Sequence, residues 1–208
     1  MKERGMIFNG EMVRAILDGR KTQTRRPVTF PFRDVNLGCE LSGNELAGEV
    51  SAGNYWNSRV GQPGDRIWVR ETWAEAGASA PDLKLYRANY PAHVPTHYEN
   101  VPPAEDVRWT PSIHMPRWAS RITLEITDVR VERLHSISER DALREGLFQL
   151  PASGRYCLQP GMQYFGMASH SAKEVYSWLW ASIYGEESWD ANSWVWVIEF
   201  KRVEGAAL

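Results

Sequence analysis

The sequence predicts an α+β fold in which a small β-barrel or mixed sheet is flanked by short helices and interrupted by long loop insertions. Strand-like alternation of apolar and polar residues dominates the chain, most clearly in residues 121–134 and 193–203. Helical spacing of apolar residues occurs in three short segments, and the elements are joined irregularly. This irregular order disfavours a doubly wound parallel sheet, which needs alternating strands and helices.

Three short helices are predicted, each between a polar N-cap and a glycine that suits the C-terminal end. Apolar residues at helical spacing lie between these signals, as Met12, Val13 and Ile16 do in the first helix. The predicted helices are residues 9–19 between Asn9 and Gly19, residues 136–146 with Ser138 and Gly146, and residues 171–185 opened by the capping box Ser171-Ala172-Lys173-Glu174.

The predicted strands are marked by alternation and by flanking turn residues. The longest pattern is residues 121–134, where the step Thr127-Asp128 interrupts the alternation and indicates a bulge or a tight bend. In the last strand, Trp194, Trp196 and Ile198 share one face. The other predicted strands are residues 22–28, residues 66–73 after the Gly64-Asp65 turn, and the short candidate 83–87.

The length of 208 residues suits a single domain, residues 1–208, with sizeable insertions. Residues 29–62, 74–116 and 147–170 are rich in Gly, Pro, Asn or Ser and lack a sustained period. We therefore interpret these three segments as insertions into a smaller core.

The composition is that of an ordinary globular protein, with a formal charge of -2 and 24% charged residues. A nucleic-acid-binding surface would therefore have to be a local basic patch. Cys39 and Cys157 lack a CxxC or His-rich partner motif, so neither a metal site nor a disulfide framework is indicated. Apolar runs are too short for a membrane span and the N-terminus has no apolar signal region, so a cytoplasmic protein without a membrane partner is expected.

The segment Gly19-Arg20-Lys21-Thr22-Gln23-Thr24-Arg25-Arg26 follows the first predicted helix and concentrates four cations and two threonines. Such a loop can hold an anion or a polar base edge. A desolvated lysine beside a hydroxyl also has the groups for nucleophilic chemistry, because the neutral amine can accept the hydroxyl proton. A solvated basic turn is the simpler alternative for an arbitrary chain.

About half of the chain resembles the ASCH domain family, whose fold is a PUA-like β-barrel. The resemblance rests on an ordered set of segments, no one of which is decisive by itself. Residues 109–121 also resemble the phage and prophage branch of that family. The matching segments are Gly19-Arg20-Lys21-Thr22-Gln23-Thr24-Arg25, Gly64-Asp65-Arg66-Ile67-Trp68-Val69, residues 122–129, the helix 138–146 and residues 194–200.

The resemblance implies an amidohydrolase, and the absence of a metal-ligand pattern among the histidines favours chemistry without a metal or cofactor. Small bacterial members of the family remove the acetyl group from N4-acetylcytidine with a lysine as proton acceptor, a threonine as nucleophile and a glutamate as proton donor. These roles map to Lys21, Thr24 and Glu145. The chain departs from those enzymes by being about twice as long and by continuing its loop as Arg25-Arg26-Pro27, so the insertions could present a different substrate.

The residues themselves are compatible with these roles. Lys21 can act as a base only if its pKa falls well below its usual value, and neighbouring cations favour this because like charges disfavour the ammonium form. Glu145 lies at the end of a predicted helix, where the helix dipole disfavours a charged carboxylate and so suits a proton donor. A surface glutamate paired with an arginine is the alternative for Glu145.

Further candidates for substrate binding come from the loop and from later segments. Glu71 could face the same pocket or pair with an arginine across the sheet, and His114 could be a base, a phosphate contact or a structural residue. The five histidines form no metal-ligand pattern. The candidate substrate-binding residues are Arg20, Thr22, Arg25, Arg26, Trp68, Glu71 and His114.

Two other functions remain open from the sequence. The chain could be an RNA-binding module or a ribonuclease, with Arg117 and Arg121 joining the loop cations on phosphates and tryptophans stacking on bases. It could also be a phage-encoded protein that binds a host factor. The expected partner is therefore a modified nucleoside or RNA, and the sequence does not indicate an oligomeric state.

Overall fold

A computed structural model describes residues 1–77 and 80–203. The strands in this part of the chain are β1 (Glu3–Ile7), β2 (Gln23–Pro27), β3 (Phe32–Arg33), β4 (Glu40–Leu41), β5 (Arg66–Arg70), β6 (Trp73–Glu75), β7 (Lys84–Tyr86), β8 (Thr123–Arg133), β9 (Phe148–Gln149), β10 (Tyr156–Cys157) and β11 (Trp194–Arg202). The α-helices are α1 (Gly10–Leu17), α2 (Gly43–Ser51), α3 (Glu139–Arg144), α4 (Ala172–Tyr184) and α5 (Glu187–Asp190).

The main sheet has five strands in the order β1-β5-β8-β11-β2. β1 pairs with β5 in parallel, and the other neighbours pair antiparallel, so the sheet is mixed. The predicted break in β8 is a bulge within one continuous strand. Glu199 pairs with Asp128 and Phe200 pairs with Ile126, which leaves Thr127 without a partner on β11.

The sheet is open in the described residues, because β1 and β2 are its two edges and no ladder joins them. The described residues therefore form a mixed sheet with several short helices, and not the closed barrel that the resemblance implies. The two edges nevertheless approach each other. Arg26 on β2 donates a hydrogen bond of 2.6 Å to the carbonyl of Ile7 on β1, and its guanidinium lies 5.2 Å from the centre of the Phe8 ring.

The strand β11, which lies between β8 and β2, separates two hydrophobic cores. Trp196, Ile198 and Phe200 face a core that α1 and α2 help to close. Val195 and Val197 face a second core, built with α3 and α4. The predicted placement of Trp194, Trp196 and Ile198 on one face of the last strand is therefore confirmed, and the structure shows that Val195 and Val197 on the opposite face are buried as well.

The predicted helices are present with slightly different bounds. Asn9 caps α1 by accepting a hydrogen bond of 2.9 Å from the Met12 amide, and Ser138 and Ser171 cap α3 and α4 in the same way. α3 is shorter than expected because residues Leu134–Ser136 form a 3₁₀ turn before it. Gly19 and Gly146 have φ values of +74° and +105°, which suits their predicted places after helix ends.

The predicted insertions contain regular elements that the sequence analysis did not assign. Residues 29–62 include α2, whose capping box of Ser42 and Glu45 was visible in the sequence, and whose Leu46 and Val50 enter the first core. The parallel edge strand β1 was also missed, because a five-residue strand with a half-exposed pattern gives little signal. Residues 74–116 and 147–170 hold short hairpins and 3₁₀ turns.

Between residues 1 and 77 and between 80 and 203, no helix combines the length and the apolar character needed to cross a lipid bilayer. Cys39 is exposed and Cys157 is buried, and both are free thiols.

Gly146 is the backbone position on which the loop after α3 depends most directly. A Cβ at Gly146 would lie 2.8 Å from the Cβ of Ala15 and 3.2 Å from that of Lys21, in addition to the strain of its φ of +105°. Gly154 also has a positive φ, +67°, but open space around it. We expect Gly154→Ala to lower the free energy of unfolding by about 1–2 kcal/mol, and Gly146→Ala to lower it by about 1–3 kcal/mol more because of the clash. Urea denaturation of the two variants measures this difference, and equal losses would contradict the close contact.

Candidate active site at the edge strand

Two helix ends meet at the start of β2 and bring Lys21 beside Glu145. α1 ends before Gly19, and the Lys21 amide donates a hydrogen bond of 2.9 Å to the Ala15 carbonyl. α3 ends at its C-cap Glu145, and Lys21 and Glu145 form an isolated antiparallel bridge. The predicted lysine and glutamate, 124 positions apart in the chain, are therefore neighbours.

The side chains of Lys21 and Glu145 form a buried ion pair. The Lys21 Nζ donates to Glu145 Oε2 at 2.8 Å and to the Glu145 carbonyl at 3.0 Å, and the two side chains are 0% and 3% exposed. The Arg25 Nη1 donates to the other carboxylate oxygen, Oε1, at 3.1 Å. Each oxygen of Glu145 therefore has its own cationic donor, and the carboxylate is held in one orientation.

Alternation along β2 places Lys21, Gln23 and Arg25 on the same face of the strand, toward α3. The Gln23 Oε1 accepts a hydrogen bond of 3.0 Å from Arg25 Nη1. Across the sheet, Val197 pairs with Arg25 on one side and with Arg130 on the other, so the two arginines lie in one row. The row across β2, β11 and β8 therefore has an arginine on each side of Val197.

Acidic residues surround this row and balance its charge. Glu132 and Asp141 each place a carboxylate oxygen 3.7 Å from Arg25 Nη2. Arg130 pairs with Glu132 at 2.8 Å and with Glu199 at 2.7 Å. Two of the four loop cations, Lys21 and Arg25, therefore lie inside a network of opposite charges, as buried charges require.

Burial lowers the pKa of the Lys21 ammonium, because desolvation penalises the charged form. The negative charge and hydrogen bond of Glu145 oppose this shift, and the nearby Arg26 and Arg25 reinforce it. Compared with a lysine in water, the buried Lys21 therefore has its neutral amine form favoured.

Thr24 lies on the opposite face of β2 from Lys21, paired with Ile198, and is 1% exposed. Both hydrogen bonds of the Lys21 ammonium to described residues go to Glu145, so the structure does not join Lys21 to Thr24 directly. Thr24 and Glu145 do line one small cavity of about 10 Å³ at the edge of β2. We call this space the inner cavity; its other lining residues are Met12, Arg25, Arg26, Tyr176, Leu179, Trp180, Ile183 and Tyr184.

An open cleft of about 270 Å³ adjoins the inner cavity. The cleft lies between α1 and residues 145–148 and 158–160, and we call it the outer cleft. Met12, Glu145 and Leu179 line both spaces, so they form the partition between them. At the side of the outer cleft, the Arg20 guanidinium stacks 3.6 Å above the centre of the Phe148 ring and donates to the Gly146 carbonyl.

The remaining loop residues have different surroundings. Thr22 is exposed, and its amide donates to the Arg144 carbonyl at 2.9 Å. Arg20 pairs with Asp18 at 2.9 Å, and Arg26 is half-buried against β1. The cationic segment is thus a structural junction rather than a uniformly solvated basic patch.

Trp68, Glu71 and His114 lie elsewhere and line neither the inner cavity nor the outer cleft. Trp68 is half-buried beside Arg70, and His114 is exposed in the 3₁₀ turn Ser112–His114. Glu71 is 1% exposed, and its two oxygens accept hydrogen bonds of 2.9 Å from Arg121. Glu71 therefore has the cross-strand arginine that the sequence analysis considered as the alternative to a pocket role.

Several lining residues were not identified from the sequence. Trp180, Tyr176 and Leu179 come from the predicted third helix, whose position over β2 depends on tertiary packing. Phe148 lies in a segment that was interpreted as an insertion. Gln23 was visible in the loop motif, but nothing in the motif indicates its contacts with Arg25 and Glu199.

Comparisons with models of known protein families, with curated proteins and with solved structures found no match. In the described part of the chain, no three His, Cys, Asp or Glu side chains are grouped so that they could hold a metal ion. The assignment of a function therefore rests on the geometry of the site.

Glu145→Gln should destabilise the fold because it leaves the buried Lys21 ammonium without its carboxylate. Breaking a buried pair from one side costs about 3–5 kcal/mol of unfolding free energy, and adding Lys21→Met should recover part of that loss. The exposed pair of Lys201 and Glu125, at 2.9 Å, is the matched control, and Glu125→Gln should cost under about 1 kcal/mol. Chemical denaturation of the variants measures both values. Similar losses for the two glutamates would contradict the buried pair.

Proposed function

We propose that this chain is an amidohydrolase that removes a small acyl group from N4 of a cytosine nucleoside, converting N4-acetylcytidine and water to cytidine and acetate. The observation that carries the proposal is the buried pair of Lys21 and Glu145, held by Arg25, in which Glu145 lines both the outer cleft and the inner cavity. We further propose that the open, curled sheet is a PUA-like fold of the ASCH type, which the approach of β2 to β1 supports.

The ion pair supplies both a base and an acid. Amide hydrolysis needs a base that accepts the proton of the nucleophile and an acid that protonates the departing amine. A proton moved from Lys21 Nζ to Glu145 Oε2 leaves a neutral amine and a neutral carboxylic acid, which are these two groups. Desolvation, which lowers the pKa of Lys21, makes that neutral arrangement accessible.

The proposed reaction has two stages. The Thr24 hydroxyl oxygen bonds to the acyl carbon while its proton passes to Lys21 Nζ; the C–N4 bond then breaks, and Glu145 protonates the departing N4. Because Thr24 and Lys21 lie on opposite faces of β2, the first transfer requires the two side chains to come into contact when substrate binds. Water next attacks the acyl carbon of the threonyl ester, and the acyl C–Oγ1 bond breaks. The proton of water passes through the pair to the Thr24 oxygen, which regenerates the hydroxyl and releases acetic acid, ionised to acetate in solution. Thr24 and Glu145 line the same cavity, so an acyl carbon between them could contact both residues.

The dimensions of the outer cleft suit a nucleoside better than a polymer. Its volume of about 270 Å³ is close to the lower end of the roughly 300–1,000 Å³ that is common for small-molecule sites. Bases stack on aromatic rings and on guanidinium planes, and Arg20 and Phe148 provide both at the side of the cleft. We therefore propose that the cytosine ring occupies this cleft.

The alternative of an RNA-binding module or ribonuclease has weaker support. Phosphate binding needs cations that face solvent, whereas the side chains of Lys21 and Arg25 are 0% exposed. Arg20 and Arg26 are engaged by Asp18 and by the Ile7 carbonyl. RNA binding that weakens steeply with salt would nevertheless favour this alternative over the hydrolase.

The first test is turnover of N4-acetylcytidine by the purified chain, with cytidine release followed by chromatography. We expect Lys21→Ala and Thr24→Ala each to abolish release, because they remove the base and the nucleophile. Lys201→Ala and Thr127→Val are matched controls at exposed positions and should retain the wild-type rate. Full activity in either loop variant would contradict this mechanism. If the folded wild-type chain is inactive, N4-acetylcytidine is not its substrate.

The pH dependence of kcat/KM should follow the pair. The rate should rise with pH as the doubly protonated pair loses one proton and reaches the active form with a single shared proton. The rate should fall as the pair loses that last proton, and both limbs belong to the coupled pair. Because burial lowers the pKa of Lys21, we expect the falling limb to lie below the ordinary pKa of lysine. A pH–rate series on wild-type protein measures the two limbs. A falling limb at or above the ordinary lysine pKa would contradict a desolvated base.

A further inference from the structure

Unpaired hydrogen-bond donors are concentrated around the inner cavity. Six buried side-chain nitrogens among the described residues have no hydrogen-bond partner, and four of them belong to residues that line this cavity. The four are Nε and Nη2 of Arg25, Nε of Arg26 and Nε1 of Trp180. Arg25 and Trp180 are each 3% exposed, so bulk water does not serve these donors.

These four atoms can donate hydrogen bonds but cannot accept them. All four are N–H donors, and a guanidinium or an indole nitrogen cannot accept a hydrogen bond in return. Buried polar groups in folded proteins are nearly always satisfied, so a group of unsatisfied donors around one space needs an occupant. The complementary occupant is an oxygen atom that accepts hydrogen bonds and carries negative charge. Nη2 has partial compensation from Glu132 and Asp141 at 3.7 Å, which leaves the three other donors as the stronger observation.

We infer that the inner cavity is a binding site for a single oxyanion oxygen, formed by the indole N–H of Trp180 and the Nε–H groups of Arg25 and Arg26. The volume of about 10 Å³ is room for one atom of the size of a water oxygen. The ligand class is a small carboxylate, or the carbonyl oxygen of a small acyl group. The role in catalysis rests on the proposed hydrolase function, whereas binding of a carboxylate does not.

The partition between the two spaces indicates how a ligand reaches these donors. Met12 and Leu179 line both the cavity and the cleft, together with Glu145. An acyl oxygen in the inner cavity would therefore have its carbon beside Glu145 and the rest of the molecule in the outer cleft. Because α4 closes the cavity with large side chains, only a short acyl group fits beside the oxygen.

In the proposed reaction this site acts as an oxyanion hole. Negative charge develops on the acyl oxygen when the Thr24 oxygen bonds to the acyl carbon, and preorganised donors stabilise that charge in a space without bulk water. Arg25 would then have two roles, because its Nη1 holds Glu145 while its Nε faces no described partner. Trp180 adds a third donor, its indole N–H, which Trp180→Phe removes while an aromatic ring is retained.

Acetate binding tests the site without requiring turnover. The chain has ten tryptophans, and each indole N–H gives a signal in a proton–nitrogen correlation spectrum. We expect acetate to shift the Trp180 indole signal in a saturable way and to leave the Trp178 signal in place. The signal is assigned through the backbone or by its loss in Trp180→Phe. The absence of a Trp180 shift up to about 100 mM acetate, well above a millimolar dissociation constant, would overturn the inference and leave the cavity with a structural water only.

The kinetic test is Trp180→Phe, which retains the ring and removes the N–H. We expect kcat for N4-acetylcytidine to fall about 100-fold with little change in KM, because one donor to the developing oxyanion is lost. Trp178→Phe, a half-buried tryptophan on the same helix, is the control and should retain activity. An unchanged kcat in folded Trp180→Phe would overturn the inference.

The two tests separate this inference from the proposed function. If the wild-type chain does not release cytidine but acetate shifts the Trp180 signal, the hydrolase proposal fails and the oxyanion site stands. If the wild-type chain is active and Trp180 responds to neither test, the hydrolase stands and the oxyanion site fails. The acetate titration uses the wild-type chain, so it remains decisive if Trp180→Phe does not fold.

Discussion

The buried contact between Lys21 and Glu145 is the interaction on which the rest of the site depends. It joins the end of α1 to the end of α3 at the first residues of β2, and both of its side chains are withdrawn from water. Isolated charges at such a depth would be strongly unfavourable, so each must be compensated by a partner of opposite charge. Arg25, with Asp141 and Glu132 behind it, completes this compensation and makes the junction a single electrostatic unit.

The same junction explains why cavities form where they do. Among the described residues, β2 is an edge strand, and side chains from α1 and α4 line the cavity at its free edge. Met12, Glu145 and Leu179 line both the inner cavity and the outer cleft. A buried ion pair therefore lies beside a small cavity, and the proposed proton transfer and oxyanion stabilisation would both use this arrangement.

The network also limits what the basic segment can do. Lys21 and Arg25 hold the junction together and are buried, so they contribute little positive charge to the surface. The two faces of β2 also have different roles. One face carries the residues that compensate charge, Lys21, Gln23 and Arg25, and the other carries Thr24 against the first core. The edge of the strand is where groups from both faces meet the same cavity.

The sequence by itself determined the local elements. Capping signals, the alternation in β8 and β11, and the irregular step at Thr127 depend on neighbouring residues, so they could be recognised without the fold. The pairing of Lys21 with Glu145 followed only from a family resemblance, and the structure supplies the contact. Tertiary structure alone decided which strand lies at the edge, how α4 covers it, and that Trp180, rather than Trp68, lines the cavity. These features depend on contacts between residues far apart in sequence, and periodicity carries no information about them.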